Sequence, residues 1–422
     1  MIAIRRLGIA VLALVPLSAY PATLPKECAA KPLCSGSTCS TVINAKSSTI
    51  PDKPCPRFGS NQDDIDIFSW NEFIAYNWPA TQSCSADQTK SILNVRSGAN
   101  GPLVWQAQMS TDDVFVAKGQ RPKGWCNTPT LFTAAPRAFH HIAKADPAAK
   151  LLGGDFAKIS EPAGPVQAGG GILTDPSGRW ARYEKLINLT EYQYIIGNNL
   201  WNKAGLAGKT VNFPEGTTEF KASWKVLTPA EIKGGRYYTT VATVFNTPDG
   251  QPSPIPGPVT LGLVGLHIVH KGPSGFFWST FEQVENDKVF VDPSNPLGPN
   301  VQTAEKPYVE IDPKTKKPTA KGVNVKRETT PIPTGTEDIS NYYRKLLAGS
   351  VFANYRLIGS QWQFNLNTGG FPQYLSNITM ETYVQRRSIP NPKNPKVQPY
   401  TGCLSCHAFS SWDQSFIFIE AK

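Results

Sequence analysis

Val259-Thr260-Leu261-Gly262-Leu263-Val264-Gly265-Leu266-His267-Ile268-Val269-His270 is apolar at even and odd positions alike. A half-buried strand alternates, whereas a strand covered on both faces does not, so this run predicts a central strand. His267 then points into the interior, and His270 sits near the strand end beside Lys271. Neighbouring runs read the same way. Glu219 to Val226 alternates with period two, and Tyr237 to Phe245 and Phe276 to Val284 are β-rich stretches set off by Pro/Gly turns. Trp180 to Asn188 alternates as well, and Ser415 to Ile419 predicts a short closing strand.

Helical spacing appears on either side of this sheet. Ile67, Trp70, Phe73, Ile74 and Asn77 share one stripe, with acids in the first turn and Pro79 as the stop. Thr190 with Gln193, and Thr334 with Glu337, have the spacing of capping boxes. They predict helices running to Trp201 and to Gly349, and a further short helix is expected over Asn377 to Arg387. The fold class expected is therefore α+β, a mainly antiparallel β core with several peripheral helices.

At 422 residues and 40% apolar, the chain is long enough for a substantial core, which excludes a disordered protein. Its formal charge of +10 suits anionic partners, but no nucleic-acid motif accompanies it, so nucleic acid is not expected as a partner. Residues 1–22 read as a secretory signal: Arg5 and Arg6, an apolar run from Leu7 to Leu17 too short to span a bilayer, then Ala19 and Ala22. No later segment reads as an integral membrane span. Residues 23–60 form a Cys/Pro-rich arm, and 61–422 read as one large domain that carries a Pro/Lys-rich surface excursion at 292–334. Six early cysteines (Cys28, Cys34, Cys39, Cys55, Cys84 and Cys126) in an exported chain predict three disulfides, with Cys84–Cys126 the expected pair beyond the arm.

Chemistry concentrates in residues 376–422, at Cys403-Leu404-Ser405-Cys406-His407. Two cysteines spaced by two residues and followed by histidine have the pattern that attaches a c-type haem covalently, the thiols taking the vinyl groups and the imidazole the iron. A redox dithiol normally joins a strand to a helix in a compact α/β domain, whereas this motif follows a Pro-rich loop. A zinc site needs four ligands, and no second Cys/His pair lies nearby in sequence. A class I cytochrome c carries the motif at its front, but only residues 408–422 follow His407 here. The four-helix cytochrome c′ architecture does not suit a preceding stretch rich in proline and strand pattern.

The chain resembles exported bacterial mono-haem proteins described as cytochrome c family proteins. The resemblance is carried by Phe68 to Pro79, Phe220 to Leu227, Val264 to Lys271, Trp278 to Asn286, and Cys403 to His407 with the Ser415-Phe416-Ile417-Phe418 segment after it. It implies export and one covalent haem c.

Electron transfer through that haem is the first functional expectation, with a redox partner protein as the exchange partner. The alternatives are a peroxidase-like oxidoreductase acting on a small oxidant at an open axial position, and a haem-based sensor or binding protein. Oligomeric state and catalytic residues are left open. Candidates for the distal iron ligand are His140, His141, His267, His270, Met109 and Met380. His267 ranks first, because a buried imidazole needs a hydrogen-bond or metal partner. Met380 ranks second as a thioether close in sequence to the motif, and an open position third.

Overall fold

A computed structural model describes residues 33–35, 38–40, 62–98, 101–126, 137–139, 173, 181–244, 258–272, 275–286, 332–365, 369–371, 375–381, 402–407 and 410–422. The expected signal, most of the arm, His140, His141 and nearly all of the 292–334 excursion lie outside these residues. Of the arm, strands Leu33–Ser35 and Thr38–Ser40 form a hairpin in which Cys34 and Cys39 occupy directly opposed positions. Cys84 and Cys126 are bridged across 42 residues, as expected. No described helix is long and apolar enough to cross a membrane.

The elements that matter here are, in chain order, α1 (Gln62–Tyr76), β1 (Met109–Ser110), β2 (Arg137–Phe139), β3 (Arg182–Ile187), α2 (Leu189–Gly197), β4 (Thr218–Val226) and β5 (Thr239–Val244). They continue with β6 (Val259–Gly272), β7 (Gly275–Gln283), α3 (Thr334–Leu346), β8 (Tyr355–Asn365), β9 (Gly369–Phe371) and α4 (Cys403–His407). The strands make one nine-stranded sheet with a path β9-β8-β7-β6-β4-β3-β1, to which β5 and β2 are added beside β6. Every pairing is antiparallel except β2 with β5, so the α+β expectation holds.

β6 is central, as its sequence requires. β4 covers one edge from Leu261 to His270, while the other edge is shared by β5 at 259–262 and β7 at 265–272. Side chains on a strand point alternately to opposite faces. Leu266, Ile268 and His270 therefore face α1 and α3, and Gly265, His267 and Val269 face the motif.

The α1/α3 face is an aromatic core. Trp70 stacks on Tyr343 at 5.0 Å, and Phe73 lies 4.3 Å from Phe281 of β7. α1 is buried nearly all round, and even Asp66 of its early turns is enclosed, bonded to Thr336 and Gln62. Burial pushes its carboxyl up to about 7. On the opposite face a second cluster gathers Met109, Ile187, Val269, Trp278, Leu404 and Phe418.

Several local expectations are corrected. Ser415 to Ile419 is not a strand: Ile417–Glu420 is a 3-10 turn, with the adjacent Ile417 and Phe418 both buried. Asn188, not Thr190, caps α2, because its side chain accepts the Glu191 N–H and starts the helix earlier. At α3, Pro333 occupies the cap position and no side chain caps the helix. Residues 377–381 form a turn rather than a helix, since Asn377 Oδ1 accepts both the Thr379 N–H and hydroxyl and competes with helical bonding; residues 382–387 lie outside the description. His270 is enclosed within a strand that runs on to Gly272. β8 was not anticipated at all.

Candidate functional site

The motif forms one helical turn, α4, seated on β8 and β9. Residues three and four apart share a helix face, so positions 403, 406 and 407 lie on one side. The Cys406 side chain is outside the description, whereas Cys403 is partly buried with its Sγ 4.0 Å from the Leu375 carbonyl. Gln361 of β8 seats the turn: its Oε1 accepts the Leu404 N–H at 2.8 Å, one of the donors a helix start leaves unsatisfied. Gly402 brings the backbone up to Gln361, where an added Cβ would stand 2.6 Å from Nε2. A side chain at 402 would have to displace the Gln361 amide that seats the turn.

His407 is held on three sides. Its Nδ1 donates to the Gln414 carbonyl at 2.6 Å, and its ring packs against Trp278 at 4.0 Å and Phe416 at 4.9 Å. Burial pushes its pKa down to about 3; the Gln414 bond works against this, while the charges of Lys221 and His267 add to it. The imidazole is therefore neutral, with Nδ1 protonated and Nε2 carrying the lone pair. A metal-bound histidine has the same arrangement, its second nitrogen fixed by a carbonyl. Orientation, tautomer and charge of His407 thus fit an iron ligand. Among the described residues no group of three or more His, Cys, Asp and Glu converges into a metal cage, but a covalently held haem requires no such group.

His267 projects from β6 onto this same face, and both of its ring nitrogens are engaged. Nδ1 meets the Thr280 hydroxyl at 3.1 Å, and Nε2 meets the Glu381 carboxylate at 3.1 and 3.2 Å. Lys221 lies 3.6 Å from Glu381, and the Asn377 N–H donates to it at 2.8 Å. Burial alone would raise the Glu381 carboxyl, but His267, Lys221 and that N–H outweigh it and hold the pKa down to about 2. The turn carrying Glu381 is pinned to the sheet through the Ile378 N–H to Glu282 at 2.8 Å and the Tyr183 hydroxyl to the Thr379 carbonyl at 2.9 Å. Gly265 permits that contact, since a Cβ there would come within 2.6 Å of Ser223 and Thr379 hydroxyls.

The structure thus brings Cys403, His407 and His267 to one face of the sheet, with Met380 fully buried in the turn beside Glu381. Met109 packs in the apolar layer of this face, against the β3 edge. His270 is separated from the motif by the sheet: it bonds Glu72 of α1 at 2.7 Å, with Phe68 edge-on to its ring. His140 and His141 fall outside the description. Sequence reasoning missed Glu381, Lys221, Trp278, Gln361 and Gln414. Lys221 alone left a signal, as a charged residue on the alternating β4 face that proves to be the His267 side. Comparison with protein-family models, with curated proteins and with solved structures found no match.

Proposed function

We propose that this chain is exported, carries one c-type haem on Cys403 and Cys406 with His407 as proximal ligand, and passes single electrons to a redox partner. The observation that supports this best is His407 itself: neutral, fixed through Nδ1 to a backbone carbonyl, and next to two cysteine positions on one helical turn. Haem bound there would supply a one-electron couple. The chain's own residues supply the rest. Gln414 orients the imidazole, Trp278 and Phe416 pack against its ring, and Gln361 with Gly402 seats the turn.

For the distal position His267 has the correct face, but it would have to release Glu381 or Thr280 to offer a nitrogen. Met380, buried next to Glu381, is the second candidate. The engaged state of His267 also supports an alternative, a haem-dependent oxidoreductase acting on a small oxidant at an open position. There the His267–Glu381 pair would hold and move the proton at Nε2.

Two measurements test the reading. Protein matured in a haem-attaching host should keep haem in denaturing gels, and the Cys403→Ser, Cys406→Ser double variant should lose it; covalent haem retained by that variant would refute attachment. Low-temperature paramagnetic resonance and near-infrared spectra of the oxidised protein then separate the roles. A low-spin spectrum supports electron transfer, with a bis-histidine signal lost in His267→Ala or a methionine charge-transfer band naming the ligand. A high-spin ferric signal that responds to cyanide favours the oxidoreductase.

A further inference from the structure

Between α3 and the first residues of β8 lies a cavity of about 60 Å³. The helix is docked on the strand beside it: the Ser340 hydroxyl donates to the Leu357 carbonyl at 3.3 Å and accepts the Leu357 N–H at 3.1 Å. The lining combines three apolar side chains, Val284, Ile332 and Leu357, with the guanidinium groups of Arg344 and Arg356. Arg344 is half-buried and held in place, its Nε donating to the Ala353 carbonyl at 2.8 Å and its Nη1 to Asn341 Oδ1 at 3.3 Å. Both acceptors are neutral. Among the described residues no carboxylate pairs with Arg344, and its Nη2 has no hydrogen-bond partner. Arg236, a third cation nearby, is already matched by Glu285 at 2.6 Å. Burial and the charges of Arg356 and Arg236 push the Arg344 pKa below its ordinary value, while Glu337 works the other way.

A half-buried guanidinium without a counter-charge, lining the same cavity as a second one, is costly, and the cavity has room for the missing anion. The lining also says which anion. Glu337 is the one acid in it, so two arginines against one glutamate leave a single net positive charge. A monoanion balances that charge, whereas a phosphate dianion would exceed it. Guanidinium forks match the planar carboxylate, and the three apolar side chains suit a short alkyl group. We propose that this cavity binds a small aliphatic monocarboxylate, its carboxylate on Arg344 and Arg356 and its alkyl end against Val284, Ile332 and Leu357. The site stands apart from the haem reading. The motif turn is seated at Gln361, farther along β8, and none of its residues lines this cavity.

The full-length protein, in carboxylate-free buffer at fixed ionic strength, is titrated with sodium propionate and read by saturation-transfer NMR on the ligand methyl protons. Binding should saturate with Kd on the order of 1 mM, as suits so few ligand atoms. Propionamide, similar in shape but uncharged, should bind at least about tenfold more weakly, and equimolar phosphate should not displace propionate. Arg344→Lys keeps the charge but loses the fork, and should weaken binding about tenfold; Arg344→Met should abolish it. Propionamide binding as well as propionate would reduce the cavity to an apolar crevice. Displacement by phosphate would make it a general anion patch, and binding unchanged in the Arg344→Met, Arg356→Met double variant would put the ligand elsewhere. Each of these overturns the proposal, as does no binding up to ten times the expected Kd. If the variants do not fold, the wild-type comparison of propionate with propionamide still decides. The Soret band of the same samples should not move. A shift that tracks propionate would put the carboxylate on haem iron and overturn the proposal while leaving the haem reading intact.

Discussion

His267 and His270 sit three residues apart on β6 and each meets a glutamate, yet their two faces treat the pairs oppositely. Under α1, Glu72 is fully buried, its Oε2 has no donor, and burial outweighs His270 to raise its pKa. On the motif face Glu381 gains Lys221 and a backbone N–H besides its histidine, and its pKa falls to about 2. The same residue types on the same strand therefore become core on one side and a charged polar site on the other. The number of donors around the carboxylate, rather than the histidine, makes the difference.

The largest expected effect tests whether stability resides on the α1/α3 side. Trp70→Ala removes the ring stacked on Tyr343 and should cost about 4 kcal/mol, read as a lower urea midpoint at unchanged slope. A loss under about 1 kcal/mol would mean the aromatic face is not the main core.

Glu381→Gln comes next and probes the charged side. The folded pKa of Glu381 lies below its unfolded value, so its stabilisation is present above about pH 4.5 and is lost as pH falls toward about 2. The variant should therefore be less stable by roughly 3 kcal/mol at pH 7 and equal to wild type near pH 2. A deficit that did not change with pH would mean a packing role instead.

Gly265→Ala should cost about 2 kcal/mol, because the new methyl enters the space where the 377–379 turn meets the sheet. Its effect should extend to His407 spectra if that turn and the motif share one layer. Asp66→Asn tests the opposite sign. Burial raises Asp66 to about 7, so wild type gains stability as pH drops from about 7 toward 4, while the variant does not. Between pH 8 and pH 5 the stability of the variant relative to wild type should therefore fall by roughly 2–3 kcal/mol. Opposite pH slopes for Asp66 and Glu381 variants would sharpen the contrast between the faces.

Much of this was legible in the sequence where one physical signal dominated. Strands β4, β6 and β7 show alternation or continuous apolarity, and α1 shows its stripe, because these patterns follow directly from which faces are covered. β8 was hidden by the irregularity between Leu357 and Gly359, which resets the alternation midway and places Leu357 and Ile358 side by side. The segment after Ser415 erred the other way, its apolar run being a tight turn that buries consecutive residues. At the site, the fixed spacing of Cys403, Cys406 and His407 could be read directly. Glu381, Gln361 and Gln414 could not, since a hydrogen-bond partner brought in by tertiary packing leaves no period or spacing in the chain.

β6, bonded along one edge to β4 and along the other to β5 and then β7, also sets the slowest clock in the molecule. An amide exchanges with solvent only when its local structure opens, and a strand locked on both edges opens only with the whole sheet. Deuterium should therefore enter β9 within the fraying time of an edge, and reach the backbone at Leu266 to Val269 only at the rate of global unfolding. The backbone beneath both histidines would then have a lifetime set by the entire fold, and the geometry that each face builds on it is kept for as long as the protein remains folded.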